Sequence, residues 1–296
     1  MKISKFIIFC NRYVENLGQN LLSILKEKYD CDLKIRQIVE NDIKMLKECE
    51  YLFIITPHSV ISKSVLPALV KCNYFIFQTE QVNTVEKSKK YLHNGAMKIV
   101  MQYAKKIYDY SFDNMNFYSN FLKVEYMPFV CNAKYYEEKE KSIDLLFYGT
   151  LNYRRYIILE SLKQLFPDIT IEIYDKLFGQ ELKEKIKKSK IILNLHYYEN
   201  SVLETARIFE ALNYNVHIIS ENNKEENIIP NTHFVKDFGY YDQQEMETIT
   251  INKSKFQEIE TTIKNLLKKS IDKKSTMKFI EANNNTIRSI MNTWEN

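Results

Sequence analysis

Short apolar runs alternate along this chain with longer amphipathic stretches. In the first half, residues 6–10, 33–38, 51–56 and 74–78 read as strands, and residues 14–29, 41–49 and 64–70 read as helices between them. That rhythm makes βαβ units and predicts a parallel sheet covered by helices on both faces. A further helix is predicted over 95–107. Residues 126–130 are predicted extended, because the proline at 128 drives the residue before it out of the helical region.

Residues 131–142 are polar and rich in lysine and glutamate, as an interdomain linker would be, and after them the rhythm restarts. Strands are predicted at 143–148, 169–174 and 191–195, with helices at 154–165 and 181–188. An amphipathic helix near 204–212 then runs into a buried strand near 216–220, and 233–235 adds an edge strand. Helical stretches at 255–268 and 276–294 close the chain. The expected organisation is a Rossmann-like domain over 1–130, a second over 143–275, and a terminal helix over 276–296 that packs back on the first. Two α/β halves imply a cleft between them, where small molecules usually bind.

Length agrees with this division, since 296 residues make about two domains of ordinary size. The charge of +4 is spread along the chain rather than gathered in a basic stripe, so no nucleic-acid surface is expected. No apolar run reaches the roughly 20 residues that cross a bilayer, and a cytoplasmic protein is expected. Five cysteines without a CxxC pair predict buried, reduced thiols and no metal site. Only five glycines are present, where ordinary usage near 7% would give about twenty, so each one is informative.

Gly149 is the most informative of them. It ends the strand Asp144-Leu145-Leu146-Phe147-Tyr148 and opens the segment Thr150-Leu151-Asn152-Tyr153-Arg154-Arg155. A glycine there lets backbone approach a ligand closely, helix-start N–H groups favour anions, and Arg154 or Arg155 is placed to grip a phosphate. A plain turn with solvated arginines is the structural alternative. Asn194 and His196 stand at the carboxyl end of the next apolar strand. In the helix after it, Glu204 and Arg207 are spaced to share a face, as ligand contacts or as a simple ion pair. Glu210 lies inside the apolar run Ile208-Phe209-Glu210-Ala211-Leu212, where a buried carboxylate needs a partner such as a ribose hydroxyl.

These segments together resemble the donor domain of GT-B glycosyltransferases of the group 1 superfamily. Phe209-Glu210-Ala211-Leu212 followed by the strand from Val216 resembles that family's glutamate signature, Tyr148–Asn152 its donor-domain entry loop, and Lys190–His196 the strand before its donor site. The resemblance covers about residues 140–270, and the N-terminal half matches in its α/β pattern alone. It implies two Rossmann-like domains facing across a cleft, with C-terminal helices. It also implies transfer of a sugar from a nucleotide-sugar donor to a glycan, protein or small-molecule acceptor, with no bound cofactor and no metal. Glu210 would bind the ribose, Gly149, Thr150, Asn152, Glu204 and Thr205 would surround the pyrophosphate, and Arg154, Arg155 and Arg207 would neutralise it. Tyr148, Tyr153, Tyr197 and Tyr198 flank this site and offer rings for stacking.

Three positions depart from the family pattern. Many members carry a first glutamate eight residues before the second; Val202 stands there, and the nearby Glu199 and Glu204 are out of register. Asn215 replaces a glycine, which asparagine's tolerance of positive φ allows, and His217 replaces a proline. The alternative function is therefore a non-catalytic nucleotide-sugar or carbohydrate binder on the same fold. On the acceptor side, His58 in Thr56-Pro57-His58-Ser59 and Glu80 in Gln78-Thr79-Glu80-Gln81 follow predicted strands and are the candidate catalytic bases, with histidine suited to proton transfer near neutral pH. Asn11-Arg12 follows the first strand.

Overall fold

Six parallel strands build the first sheet: β1 (Lys5–Cys10), β2 (Asp30–Ile35), β3 (Tyr51–Ile55), β4 (Tyr74–Gln78), β5 (Lys106–Asp109) and β6 (Val124–Tyr126), in the order β2-β1-β3-β4-β5-β6. The computed structural model describes residues 5–118, 122–131, 140–198, 201–222, 229–236, 238 and 253–294. Central strands of a doubly covered parallel sheet are buried on both faces and read as unbroken apolar runs. That is why β3 and β4, whose residues are almost all buried, were legible from their sequence.

Several boundaries shift, β2 from the expected 33–38 to Asp30–Ile35 and the extended segment near Pro128 to a strand at Val124–Tyr126, and two elements differ in kind. The helix predicted over 95–107 stops at Tyr103, and Lys106–Asp109 instead pairs with β4 as β5. The adjacent Ile107 and Tyr108 are both buried, as they would be on opposite faces of a covered strand. A lysine-rich helix, Val85–Tyr91, is held at its start by Thr84, whose hydroxyl accepts the Lys87 N–H at 3.2 Å. Its weak apolar face gave no signal.

Five parallel strands build the second sheet: β7 (Ile143–Tyr148), β8 (Ile171–Tyr174), β9 (Ser189–Asn194), β10 (His217–Glu221) and β11 (Thr232–Val235), in the order β11-β10-β9-β7-β8. Leu145, Phe147, Leu193 and Ile219 from this sheet pack with Ile158 and Leu162 of the helix Tyr153–Leu165 and with Ile259 and Ile263 of the helix Lys253–Leu266. Each such buried side chain contributes about 1.5–3 kcal/mol.

Contacts divide the chain into two Rossmann-like units, Met1–Asn132 with Glu281–Asn296, and Ala133–Ile280. The terminal residues complete the first unit's core. Trp294 stacks on Phe75 with ring centroids 4.6 Å apart, and its indole N–H donates to the Tyr108 hydroxyl at 2.6 Å. All five cysteines are free thiols. Among the described residues, no helix is long and apolar enough to cross a membrane.

Candidate functional site

In the second sheet the chain runs from β7 outward to β8, then crosses to β9 on the other side. The reversal point of an open parallel sheet, at its carboxyl edge, is where such folds bind ligands, because the diverging connections leave a crevice there. Tyr148 and Gly149 end β7, and Asn194, Leu195 and His196 end and follow β9. Between them stand three arginines.

Arg207, on the helix Thr205–Leu212, donates from Nε to the Tyr148 carbonyl at 3.0 Å and from Nη1 to Asn194 Oδ1 at 2.5 Å. Its Nη1 also lies 3.0 Å from Glu204 Oε2, the ion pair that was one of the two readings of their spacing, with Glu204 standing just before the helix. Gly149 has φ +137°, and a Cβ built on it would stand 2.6 Å from Arg207 Nη2. The room a glycine leaves was expected to serve a ligand directly; it is filled by the guanidinium instead.

Arg155 is nearly fully buried. It donates from Nε and Nη2 to the Leu195 carbonyl at 3.1 and 2.6 Å, from Nη1 to the Thr150 carbonyl at 2.8 Å, and from Nη2 to both Glu204 oxygens at 2.6 and 2.7 Å. The Tyr197 N–H adds a further bond to Glu204 Oε1 at 2.7 Å. Burial alone would raise the Glu204 carboxyl, but Arg155, Arg207, His196 and the Tyr197 N–H together hold it down at about 2. Glu204 is thus more than the helical partner of Arg207, because it ties two arginines 52 residues apart in sequence.

Several expected ligand contacts have other employment. Arg154 was a candidate phosphate group, yet it is sealed in a buried ion pair with Glu221 and also donates to the His196 carbonyl at 3.0 Å. Glu221 is fully buried and further accepts the N–H groups of His196 at 2.6 Å and Phe238 at 3.0 Å. It was overlooked because an acid just past an apolar strand reads as the start of a surface loop. Asn194 is fully buried and orients Arg207 while donating to Ser220 Oγ at 3.0 Å. His196 is likewise fully buried rather than facing outward. Asn152 caps the helix after Gly149, accepting the Arg155 N–H at 3.0 Å, and donates to the Tyr197 carbonyl at 2.6 Å. Thr150 is exposed, and the Thr205 hydroxyl donates to Leu203 at 3.2 Å. These polar groups build the scaffold of the site.

The face left for chemistry is narrower. Among the described residues, Arg207 Nη2 meets no acceptor, and Arg155 Nη1 spends one of its two N–H groups on Thr150. Both nitrogens approach the side of Gly149 where a Cβ would be, Nη2 at 2.6 Å and Nη1 at 3.7 Å. One helical turn past Arg207, Glu210 is half-buried rather than enclosed by its apolar neighbours, and burial together with the Glu210 charge holds the Tyr148 hydroxyl well above its ordinary pKa. Tyr197 is half-buried and Tyr198 exposed, with rings 4.7 Å apart and edge-to-face. Tyr153 is half-buried, whereas Tyr148 is buried. Val202 is fully buried, Asn215 does adopt positive φ at 51°, and Glu199 lies outside the described residues.

The first unit places His58 and Glu80 together at the carboxyl ends of β3 and β4, with His58 Nε2 3.6 Å from Glu80 Oε1. Burial and the charge of Lys90 push the His58 imidazole down to about 4, so it is neutral at pH 7 instead of titrating there as expected. The Glu80 loop is tied down at both ends: Gln78 Oε1 accepts the Glu80 N–H at 3.2 Å, and Asn114 Nδ2 donates to the Glu80 carbonyl at 3.0 Å. Asn114 also donates to the fully buried Asp109, a second acid that the sequence reading overlooked. Asn11 donates to Ser59 Oγ at 2.6 Å, and Arg12 is exposed.

No family model matches the chain. Two uncharacterised proteins of Acanthamoeba polyphaga mimivirus are similar to it. L137 is 23% identical over 280 residues, covering 89% of this chain and 34% of its own length; L140 is 26% identical over 249 residues, covering 75% and 78%. The chain therefore spans about a third of the first relative. Among solved structures, Anabaena HepE in complex with UDP and glucose superposes with a TM-score of 0.56 at 7% identity, covering 99% of this chain and all of that one. Sucrose-phosphate synthase from Thermosynechococcus elongatus gives 0.57 at 10% identity and covers 98% of each. The UDP-forming trehalose-phosphate synthase from Burkholderia xenovorans gives 0.51 at 11%, covering 96% and 99%.

Proposed function

We propose that this chain, a divergent protein of the GT-B fold, binds a nucleotide-sugar at the carboxyl edge of its second sheet and transfers the sugar to an acceptor hydroxyl. The observation that carries the reading is the pair of arginines fixed beside Gly149 at the reversal point of that sheet, with unspent N–H groups on the glycine side. A diphosphate placed there accepts from Arg207 Nη2 and Arg155 Nη1, and a ribose one turn along the helix donates to Glu210. HepE, which shares the fold, was solved with UDP and glucose.

In this reading the acceptor oxygen attacks the anomeric carbon, the bond from that carbon to the diphosphate breaks, and the acceptor's proton passes to a base. Guanidinium groups aimed at the departing diphosphate stabilise the charge that develops on it, a task that needs no metal. His58 and Glu80 remain the candidate bases, the depressed imidazole of His58 being a weaker base than an ordinary histidine. The second reading, a binder without turnover, is favoured by one feature: the apolar, buried Val202 stands where the family's first glutamate is expected.

A thermal-shift screen with UDP, GDP and their sugars tests the reading, because a ligand that binds only the folded state raises the melting point. A shift with at least one nucleotide is expected, and its absence with all of them contradicts the proposal. Release of nucleotide from a labelled sugar donor in the presence of acceptor then separates enzyme from binder.

A further inference from the structure

At the edge of the second sheet, Glu204 is held as a bound anion would be. Its carboxylate receives two hydrogen bonds from Arg155 at 2.6 and 2.7 Å, lies 3.0 Å from Arg207 Nη1, and accepts the Tyr197 N–H at 2.7 Å. Two guanidinium groups and a backbone amide around one oxyanion is the donor set of a phosphate site. The neighbouring pair Arg154–Glu221 is built differently. Glu221 is fully buried and its partner 6% exposed, whereas the Glu204 side chain is 17% exposed. One carboxylate is locked in the core, and the other sits at a rim.

The local backbone adds a second observation. Glu204 is the residue before the helix Thr205–Leu212, with φ −75° and ψ 68°, and its side chain makes no hydrogen bond to the helix's first N–H groups. An acid at a helix start is stabilised by those amides. Glu204 turns away from them toward the arginines, so a carboxylate displaced from the cradle has a place to go. The cradle carries two positive charges against one negative, so an arriving phosphate is drawn to the unspent N–H groups of Arg207 and Arg155 and from there competes for the ones Glu204 holds.

We propose that Glu204 is an internal occupant of an anion site, standing in for a ligand's phosphate when the site is empty and competing with that phosphate when ligand arrives. Arg155, Arg207 and the Tyr197 N–H are the shared donors. This rests on the nucleotide-sugar reading only for the identity of the natural anion; the competition itself concerns any phosphate. Glu204 thereby weakens ligand binding and eases product release, since the leaving diphosphate is replaced by a carboxylate already tethered beside it.

The test is titration of inorganic pyrophosphate, and separately of UDP, into the wild-type chain and Glu204→Gln by calorimetry. Glu204→Gln keeps the side chain's shape and removes its charge. The variant is expected to melt lower than wild type without ligand, to bind pyrophosphate at least tenfold more tightly, and to lose that gain when Arg207→Met is added. Equal or weaker pyrophosphate binding by Glu204→Gln overturns the proposal, as does a gain that survives Arg207→Met. If Glu204→Gln folds only with pyrophosphate present, that rescue supports the proposal. If it does not fold at all, Glu204→Asp, with its carboxylate drawn back, is judged by whether it binds pyrophosphate more tightly than wild type or not. Tighter pyrophosphate binding without any UDP binding sustains the internal occupant and refutes the nucleotide reading; UDP binding that Glu204→Gln leaves unchanged does the reverse.

Discussion

Arg155 and Glu204 meet through two hydrogen bonds of 2.6 and 2.7 Å, joining the helix after β7 to the start of the helix that carries Arg207 and Glu210. Removing the arginine leaves a carboxylate beside a lowered number of donors and opens a gap under Leu195. Arg155→Met is expected to destabilise the second unit by roughly 3 kcal/mol, the lower end for breaking a largely buried pair, because Glu204 retains Arg207 and partial exposure. Hydrogen exchange of the β7 and β9 amides measures it.

Gly149→Ala is the sharpest test of the loop. The new Cβ would stand 2.6 Å from Arg207 Nη2, and φ +137° is a conformation that side chains rarely adopt. A cost of about 1–3 kcal/mol from backbone strain is expected. Loss of any nucleotide-induced thermal shift should accompany it, since the guanidinium must move.

Glu210 is half-buried, so truncation leaves no large cavity. Glu210→Ala is expected to abolish nucleotide binding while keeping the melting point within a few degrees of wild type. Calorimetry with UDP reads the first effect, and a ligand-free melt the second.

The two units should respond to pH with opposite sign. Burial, only partly offset by bonds from Ser111, Tyr118 and Asn114, raises the Asp109 carboxyl from 3.8 to about 7. Between those values the native state keeps a proton that the unfolded chain gives up, so the first unit loses stability as pH rises from about 4 to 7. Glu204 is lowered from 4.5 to about 2, so its contribution to the second unit is complete above 4.5 and disappears as pH falls toward 2. Trp294 is the chain's one tryptophan and lies in the first unit's core, so its fluorescence in urea melts reports that unit.

His58 should remain neutral down to about pH 4. Carbon-13 chemical shifts of its ring, followed from pH 8 to 4, are expected to move only at the acid end. A midpoint near 6.5 would show that the imidazole is solvated and available as a base near neutrality.

The sheets were legible in the sequence because parallel strands buried on both faces leave unbroken apolar runs, as Tyr74–Gln78 and Ile143–Tyr148 do. β5 was not, since its four residues begin three positions after a helix and continue that helix's apolar pattern through Ile107. The segments read as a site do meet at one sheet edge, but several of their side chains pair with one another in ways the sequence did not indicate. Arg154 finds its carboxylate 67 positions away and Arg155 49 positions away, distances at which local spacing says nothing about pairing. Glu221 was missed for the same reason, whereas Asp109, whose partners Ser111, Asn114 and Tyr118 lie within nine positions, follows a stretch that reads as helix rather than strand. An acid at the end of a strand looks solvated until the groups folded over it are known.

The central claim, that nucleotide-sugar binds at the reversal point of the second sheet, is tested most directly by a crystal structure of the chain with bound UDP. The expected result places the phosphates within hydrogen-bonding distance of Arg207 beside Gly149 and the ribose hydroxyls on the Glu210 carboxylate. UDP bound elsewhere on the chain, with Arg207 and Glu210 untouched, would contradict it.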